Sequence, residues 1–112
     1  MNYVFLFGNM GSPAKYSINQ AGVPSAKWSL AVRPRRGKVI NWVQCVCYGA
    51  LADIIRENYG TGDSMLIKDG ELHITKYGED RPYWQVRVRL IEHLGRVFRD
   101  NSNLSNEEIS DE

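Results

Sequence analysis

The sequence holds few of the residues from which catalytic centres, metal sites and cross-links are built. It has two cysteines, Cys45 and Cys47, and two histidines, His73 and His93. The cysteines fall on one face of one predicted strand, where they are poorly placed for a disulfide and too few for a structural zinc site. Neither histidine has neighbouring ligands, and the chain contains no nucleophile motif and no P-loop. We therefore expect reduced core cysteines, no enzyme activity, no metal and no cofactor.

Long apolar runs are missing as well. The chain has no stretch of about 18 apolar residues, the length that a membrane-spanning helix needs. No basic leader precedes its first short apolar run, so the start lacks the layout of a secretory signal. With 112 residues, of which 43% are hydrophobic, the chain is expected to form one domain with one core and to have no membrane partner.

Acidic residues are absent from the first 52 positions. Residues 1–99 contain all 14 lysines and arginines and 8 of the 13 acids, a formal charge of +6, whereas residues 100–112 contain the other 5 acids and no base. One interpretation of this distribution is that the charges are solvated and bind no partner. The one-sided distribution favours instead a polyanionic partner for the body of the chain and an interaction role for the tail.

Alternating segments rich in β-branched and aromatic residues, bounded by glycine, proline and asparagine, predict a chain built mainly of strands. The predicted strands cover residues 4–8, 15–18 as a continuation of the first strand after a bend, 27–32, 41–48, 64–77 and 83–90. Residues 51–59 have the apolar spacing of a helix, and Gly60 follows as a stop. Gly70 is expected to introduce a bulge into its long strand. We expect one domain over residues 1–99, followed by a disordered acidic tail over residues 100–112.

The predicted strand at residues 41–48 has two very different faces. Because side chains alternate along a strand, the faces consist of Val43, Cys45 and Cys47 on one side and Trp42, Gln44, Val46 and Tyr48 on the other. The first face is small and apolar and suits a core. The second carries two aromatic rings with a polar amide between them. It is either a second core face or an open platform on which flat ligands stack.

Aromatic and basic residues also occur in three other segments, residues 27–32, 33–38 and 83–90. Trp28 lies on the apolar side of its strand and is interpreted as core. Residues 33–38 form a basic turn, which is either a solvated hairpin tip or a phosphate-contacting finger. The strand at residues 83–90 alternates strictly, with Trp84, Val86, Val88 and Leu90 on a face predicted to be dry and Tyr83, Gln85, Arg87 and Arg89 on a basic, polar face.

The order of the predicted elements is three strands, one helix and two strands. This is the order of the OB-fold, an all-β, five-stranded barrel with one helix between strands 3 and 4, which binds oligonucleotides on one face. Other small barrels fit less well, because few place a helix at that point.

Four segments carry a resemblance to a known family: residues 2–11, 28–32, 41–53 and 62–72. In this order they resemble the bacterial single-stranded-DNA-binding protein family. The resemblance implies an OB-fold that binds single-stranded DNA with little sequence preference and protects it in replication, recombination or repair. It also implies assembly through the first strand into a homo-oligomer, with a tetramer favoured over a dimer. The implied location is the cytoplasm, on the nucleoid, or an organelle or phage equivalent.

The family's DNA-stacking aromatics correspond to Trp42, Tyr48 and Tyr77, and a fourth falls near Arg36, whose guanidinium plane can also stack on a base. The candidates for phosphate contacts are Lys15, Arg33, Arg35, Arg36, Lys38, Arg87 and Arg89. Three features depart from the family. The basic turn is short, Val43 stands where a histidine is usual, and the tail lacks the closing Pro-Phe tip through which replication and repair proteins are recruited.

Two other functions remain open at this point. A primosome-type OB-fold module would contact proteins more tightly than DNA. An RNA-binding OB domain would use the same aromatic and basic residues on a different polymer.

Overall fold

Seven strands and one helix make up the part of the chain that the computed structural model describes, residues 1–77, 81–93 and 96–99, with the side chains of residues 75–82 left aside. In chain order the elements are β1 (Val4–Met10), β2 (Lys15–Ile18), β3 (Pro24–Val32), β4 (Asn41–Tyr48), α1 (Ala50–Asn58), β5 (Ser64–Tyr77), β6 (Arg81–His93) and β7 (Arg96–Arg99). Helix α1 is too short to cross a membrane, and no longer helix occurs in these ranges.

The strands close into a barrel. The hydrogen-bonded order is β1-β5-β6-β4-β3, and β1 pairs in turn with β3, which completes the circle. Strand β2 also pairs with β3, so β1 and β2 together form the first barrel strand, bent between Met10 and Lys15 as predicted. Counted in this way the barrel has five strands with α1 between the third and fourth. The predicted all-β OB-fold is confirmed.

The barrel is filled by alternating side chains from most of its strands. Trp28, Leu30, Cys45, Cys47 and Val88 are at most 3% exposed and belong to one apolar cluster. The predicted core positions of Trp28 and the two cysteines are therefore confirmed. Burial raises the pKa of the Cys45 thiol to about 12, so this thiol stays protonated and unreactive at neutral pH.

Helix α1 covers one end of the barrel. Leu51, Ala52 and Ile55 are fully buried. Leu51 and Ile55 belong to the spacing that predicted the helix, whereas Ile54 from the same spacing is half-buried and Asn58 is exposed. The helix begins after Gly49, whose φ of 72° is readily adopted only by glycine, and it ends at Tyr59 in extended backbone. On its outer side the Tyr16 hydroxyl donates a 2.6 Å hydrogen bond to Asp53 Oδ1, which connects the helix to β2.

The long strand β5 contains the predicted bulge. Its register with β6 shifts between Ile67 and Asp69 and again between Asp69 and Gly70. A side chain at position 70 would lie 3.0 Å from Val86 Cγ1, so the glycine lets the two strands approach closely.

Some predictions differ from the structure. Strand β6 extends beyond residues 83–90, and β7, which was not predicted, pairs with its end and packs Phe98 against the core. The predicted dry face of β6 is wrong at Trp84, which is 56% exposed because the β5–β6 hairpin continues past the end of the barrel. The predicted polar face is wrong at Arg87, which is 3% exposed. The predicted polar tip at residues 78–80 and the predicted tail at residues 100–112 lie outside the described ranges.

The burial of Trp28 leads to a stability prediction. Trp28→Ala should lower the free energy of unfolding by roughly 3–5 kcal/mol, because it removes a large ring from a closely packed core. Trp42→Ala, at a position that is 59% exposed, is the matched control and should lose far less. Urea titrations of both variants make the comparison, and equal losses would contradict the assignment of the two rings.

Candidate nucleic-acid interface

The outer face of β4 is open at one end and closed at the other. Trp42 is 59% exposed and Gln44 is also exposed, whereas Val46 and Tyr48 are 1% and 4% exposed. The face is therefore open to solvent at Trp42, where base stacking stays a prediction, whereas the Tyr48 ring is buried and presents no face to solvent. Tyr48 packs with Val46 and Val23 in a small apolar cluster separate from the barrel core.

The guanidinium of Arg87 covers the buried end of this face. Its central carbon lies 5.1 Å from the centroid of the Tyr48 ring. Arg87 stands opposite Val46 in the parallel ladder between β4 and β6, and its buried guanidinium lies over the outer face of β4 at Tyr48. At 3% exposure Arg87 is not positioned to meet a phosphate from solvent, and its predicted phosphate contact is not supported. The cation–π geometry with Tyr48 gives Arg87 a structural role instead.

At the open end, the Trp42 ring lies directly over Gly11. A side chain at position 11 would collide with the six-membered part of the indole ring. The Gly11 amide donates a 2.8 Å hydrogen bond to the Ser29 carbonyl, which holds the bend after β1 beneath the ring. Trp42 is thus supported on one side by backbone while most of the ring remains in solvent.

A groove of about 500 Å³ opens beside Trp42. It exists because β4 and β6, which are parallel, pair only at Cys45–Val86 and Val46–Arg87, and the residues that precede these pairs diverge. Its walls consist of Trp42, Val43, Gln44, Leu72, Tyr83, Trp84 and Gln85. Two indole rings, a phenol and two amides therefore meet in one open cleft, which provides stacking surfaces with hydrogen-bonding groups between them.

A second hollow, of about 310 Å³, continues the groove past Gln44 and Tyr83, which line both. Lys15 and Lys27 line its other side and face each other directly across β2 and β3. A phosphate in this hollow would contact cationic side chains from two neighbouring strands. Lys15 was a predicted phosphate contact. Lys27 was missed, although its position in the alternation opposite Trp28 already assigned it to the outer face.

The basic turn lies at the Trp42 end of the groove. Residues 33–38 follow β3, whose last pair with β4 is Val32–Asn41, so the turn is adjacent to the ring. All four of its cationic residues are exposed, and these are Arg33, Arg35, Arg36 and Lys38. Gly37 has a φ of 95°, a conformation that permits the tight reversal. The exposure fits phosphate contacts from this turn, which remain a prediction.

Two further predicted site residues, Tyr77 and Arg89, do not line the groove among the described side chains. Tyr77 ends β5, but its side chain lies outside the described part of the molecule. Arg89 is one-third exposed, and its Nη1 lies 3.7 Å from Glu71 Oε2 rather than facing open solvent. Within the described residues no group of three or more histidine, cysteine, aspartate or glutamate side chains could hold a metal ion.

The barrel and its exposed aromatic groove define an OB-fold domain of the kind that binds nucleic acids on an open β-face. A model of the single-strand binding protein family matches residues 1–93. The chain therefore belongs to this family, whose members bind single-stranded nucleic acid.

A similar solved structure supports the fold. The SSB domain of a protein from Synechococcus sp. superposes with a TM-score of 0.69, covering 83% of this chain and 96% of that one. At 17% sequence identity this likeness shows the fold alone. No curated protein matched the sequence.

The position of Trp84 in the groove predicts that it stacks on a base, although alternation had assigned it to the dry face of β6. Trp84→Ala should weaken binding to a dT oligomer by about 1–3 kcal/mol, the loss typical of one stacked base. Ile74→Ala is the control, because Ile74 is the direct cross-strand partner of Trp84 and is 52% exposed but does not line the groove. Fluorescence anisotropy titrations compare the two, and equal losses would remove Trp84 from the interface.

Proposed function

We propose that this protein binds single-stranded DNA with little sequence preference and holds it by base stacking and phosphate contacts. The observation that carries the proposal is the open groove in which Trp42 and Trp84 are both more than half exposed, with cations beyond each end. Every base has a ring face, so stacking on indoles does not select a sequence. Lys15 and Lys27 on one side and the basic turn on the other are positioned to follow a phosphate backbone.

The proposal includes a passive biological role. Unstacked bases in the groove are shielded from pairing and from reactive solutes, which suits protection of single strands during replication, recombination or repair. The protein acts here as a binding protein and not as an enzyme. The proposed location is the cytoplasm, on the nucleoid, or its organelle or phage equivalent, and residues 100–112 are a proposed contact for replication or repair proteins.

A comparison of three polymers tests the proposal. The protein should bind a dT oligomer much more tightly than a duplex of the same length, because paired bases cannot reach the indole rings. Affinity for dT should fall with salt by roughly 0.7 log units per log unit of salt for each phosphate contact. Equal affinity for the duplex would contradict the stacking mechanism, and tighter binding of the matched RNA would assign the protein to RNA.

The outer face of β1 supports the proposed self-assembly. Tyr3, Phe5 and Phe7 alternate along this strand and are 59%, 55% and 59% exposed, although the Tyr3 hydroxyl donates to the Lys68 carbonyl. Phe7 stands between two surface hollows of about 370 and 360 Å³, one toward His93 and one toward Arg33. A projecting ring flanked by hollows can be matched by a second copy of the same surface, as a two-fold interface requires. We propose a homo-oligomer formed through β1, with a tetramer favoured over a dimer.

A pair of variants tests this assembly. Replacing both Phe5 and Phe7 with serine should reduce the mass measured by light scattering to that of a monomer, because the apolar contact area is lost. Ile18→Ser is the control, since Ile18 is 60% exposed on β2 and away from the stripe. A mass unchanged by the double substitution would exclude β1 as the interface.

A further inference from the structure

A carboxylate lies between an imidazole and a guanidinium on the outer face of the β5–β6 ladder. One oxygen of Glu71 is 3.3 Å from His73 Nε2, and the other is 3.7 Å from Arg89 Nη1. Glu71 also stands directly opposite Arg87 across the ladder. A planar group with two anionic oxygens therefore lies against His73 and Arg89, in the arrangement that a phosphate could also adopt beside them.

A register shift in which Arg89 is the extra residue on β6 explains how its side chain reaches this carboxylate. Asp69 pairs with Leu90 and Gly70 with Val88, so Arg89 falls between the two pairs without a directly opposed residue on β5. Bulges redirect side chains in this way. Arg89 is thereby within reach of Glu71, which lies one residue beyond the bulge.

The cluster continues the face that begins in the groove. Gln85 lines the groove, and Arg87 and Arg89 follow on the same side of β6. From Gln85 to Arg89 the strand advances by about 13 Å, at roughly 3.3 Å per residue. A single strand leaving the groove along β6 would thus meet Arg89 next, beyond the buried Arg87.

The contact between Glu71 and Arg89 is open to competition. The two side chains are 37% and 33% exposed, and the 3.7 Å separation is that of a loose ion pair. Exposed pairs of this kind contribute little to stability, so another anion can displace the carboxylate without unfolding the strand. Guanidinium groups bind phosphate at least as well as carboxylate.

We propose that Arg89 and His73 form a second phosphate site on this protein and that Glu71 occupies and closes it. Glu71 then limits the DNA footprint on the β6 side, and Arg89 does not contribute a phosphate contact to the wild-type complex. This inference rests on the proposed binding of single-stranded DNA and specifies one boundary of that site.

The test measures dT binding over a range of salt concentrations for Glu71→Gln, Arg89→Gln and the double variant. Glu71→Gln should bind about five-fold more tightly at low salt, the equivalent of about 1 kcal/mol for one exposed charged contact. Its salt slope should be steeper by about 0.7, one added phosphate contact. Arg89→Gln alone should leave affinity and slope unchanged, and the double variant should lose the gain.

Glu57→Gln is the matched control. Glu57 lies 3.6 Å from Arg56 on α1, a similar ion pair on a surface away from the groove. Its substitution removes the same charge without opening the proposed site, so it should not tighten binding.

Three results would overturn the inference while leaving the proposed function intact. Weaker binding by Arg89→Gln alone would show that Arg89 already contacts phosphate. A gain that survives in the double variant, or one that Glu57→Gln reproduces, would show that Glu71 acts only through its general charge. Wild-type protein that binds no dT would overturn the proposed function and this inference together.

Discussion

The short parallel contact between β4 and β6 is the feature on which both the barrel and the groove depend. Two register pairs, Cys45–Val86 and Val46–Arg87, close the sheet between the third and fifth barrel strands. Cys45 and Val86 point into the core, where both are buried. Before these two pairs the strands are not hydrogen-bonded to each other, and residues 42–44 of β4 and 83–85 of β6 form the two walls of the groove. The same few residues that close the core therefore hold Trp42 and Trp84 on opposite walls of a cleft.

The buried end of the outer face supports the open end. Arg87 is a cation with 3% exposure, and burying a charge is unfavourable unless neighbouring groups compensate. The Tyr48 ring faces the guanidinium at 5.1 Å, and Glu71 stands across the ladder. Tyr48, Val46 and Val23 form a small apolar cluster at this end of the face, next to the guanidinium. The face is therefore packed at this end and leaves only its other end, at Trp42 and Gln44, open to solvent.

Periodicity and order predicted most of the fold from the sequence. Alternation identified the strands, helical spacing identified α1, and a single glycine identified the bulge in β5. Alternation assigns a side chain to one face of a strand but does not say how far along the strand that face is covered. Alternation therefore placed Arg87 in solvent and Trp84 in the core, whereas Arg87 is buried and Trp84 lies in the groove. For Tyr48 alternation left core and platform open, the family resemblance implied an exposed stacking ring, and the ring is buried. Lys27 was not predicted as a phosphate contact, although alternation places it on the outer side of β3, where it lines the hollow with Lys15.

The arrangement of charged side chains explains how a chain with almost no net charge can bind a polyanion. The formal net charge is only +1, yet cations and carboxylates occupy separate places around the groove. Lys15 and Lys27 line the hollow at one end of the groove and face each other across β2 and β3. The exposed basic turn lies at the other end, and Glu71 lies on β5 opposite Arg87, farther along the β5–β6 ladder. The number and position of accessible cations, rather than the total charge, set how many phosphates the surface can neutralise. In the proposed complex, the bases that follow this path would stack on the two indole rings.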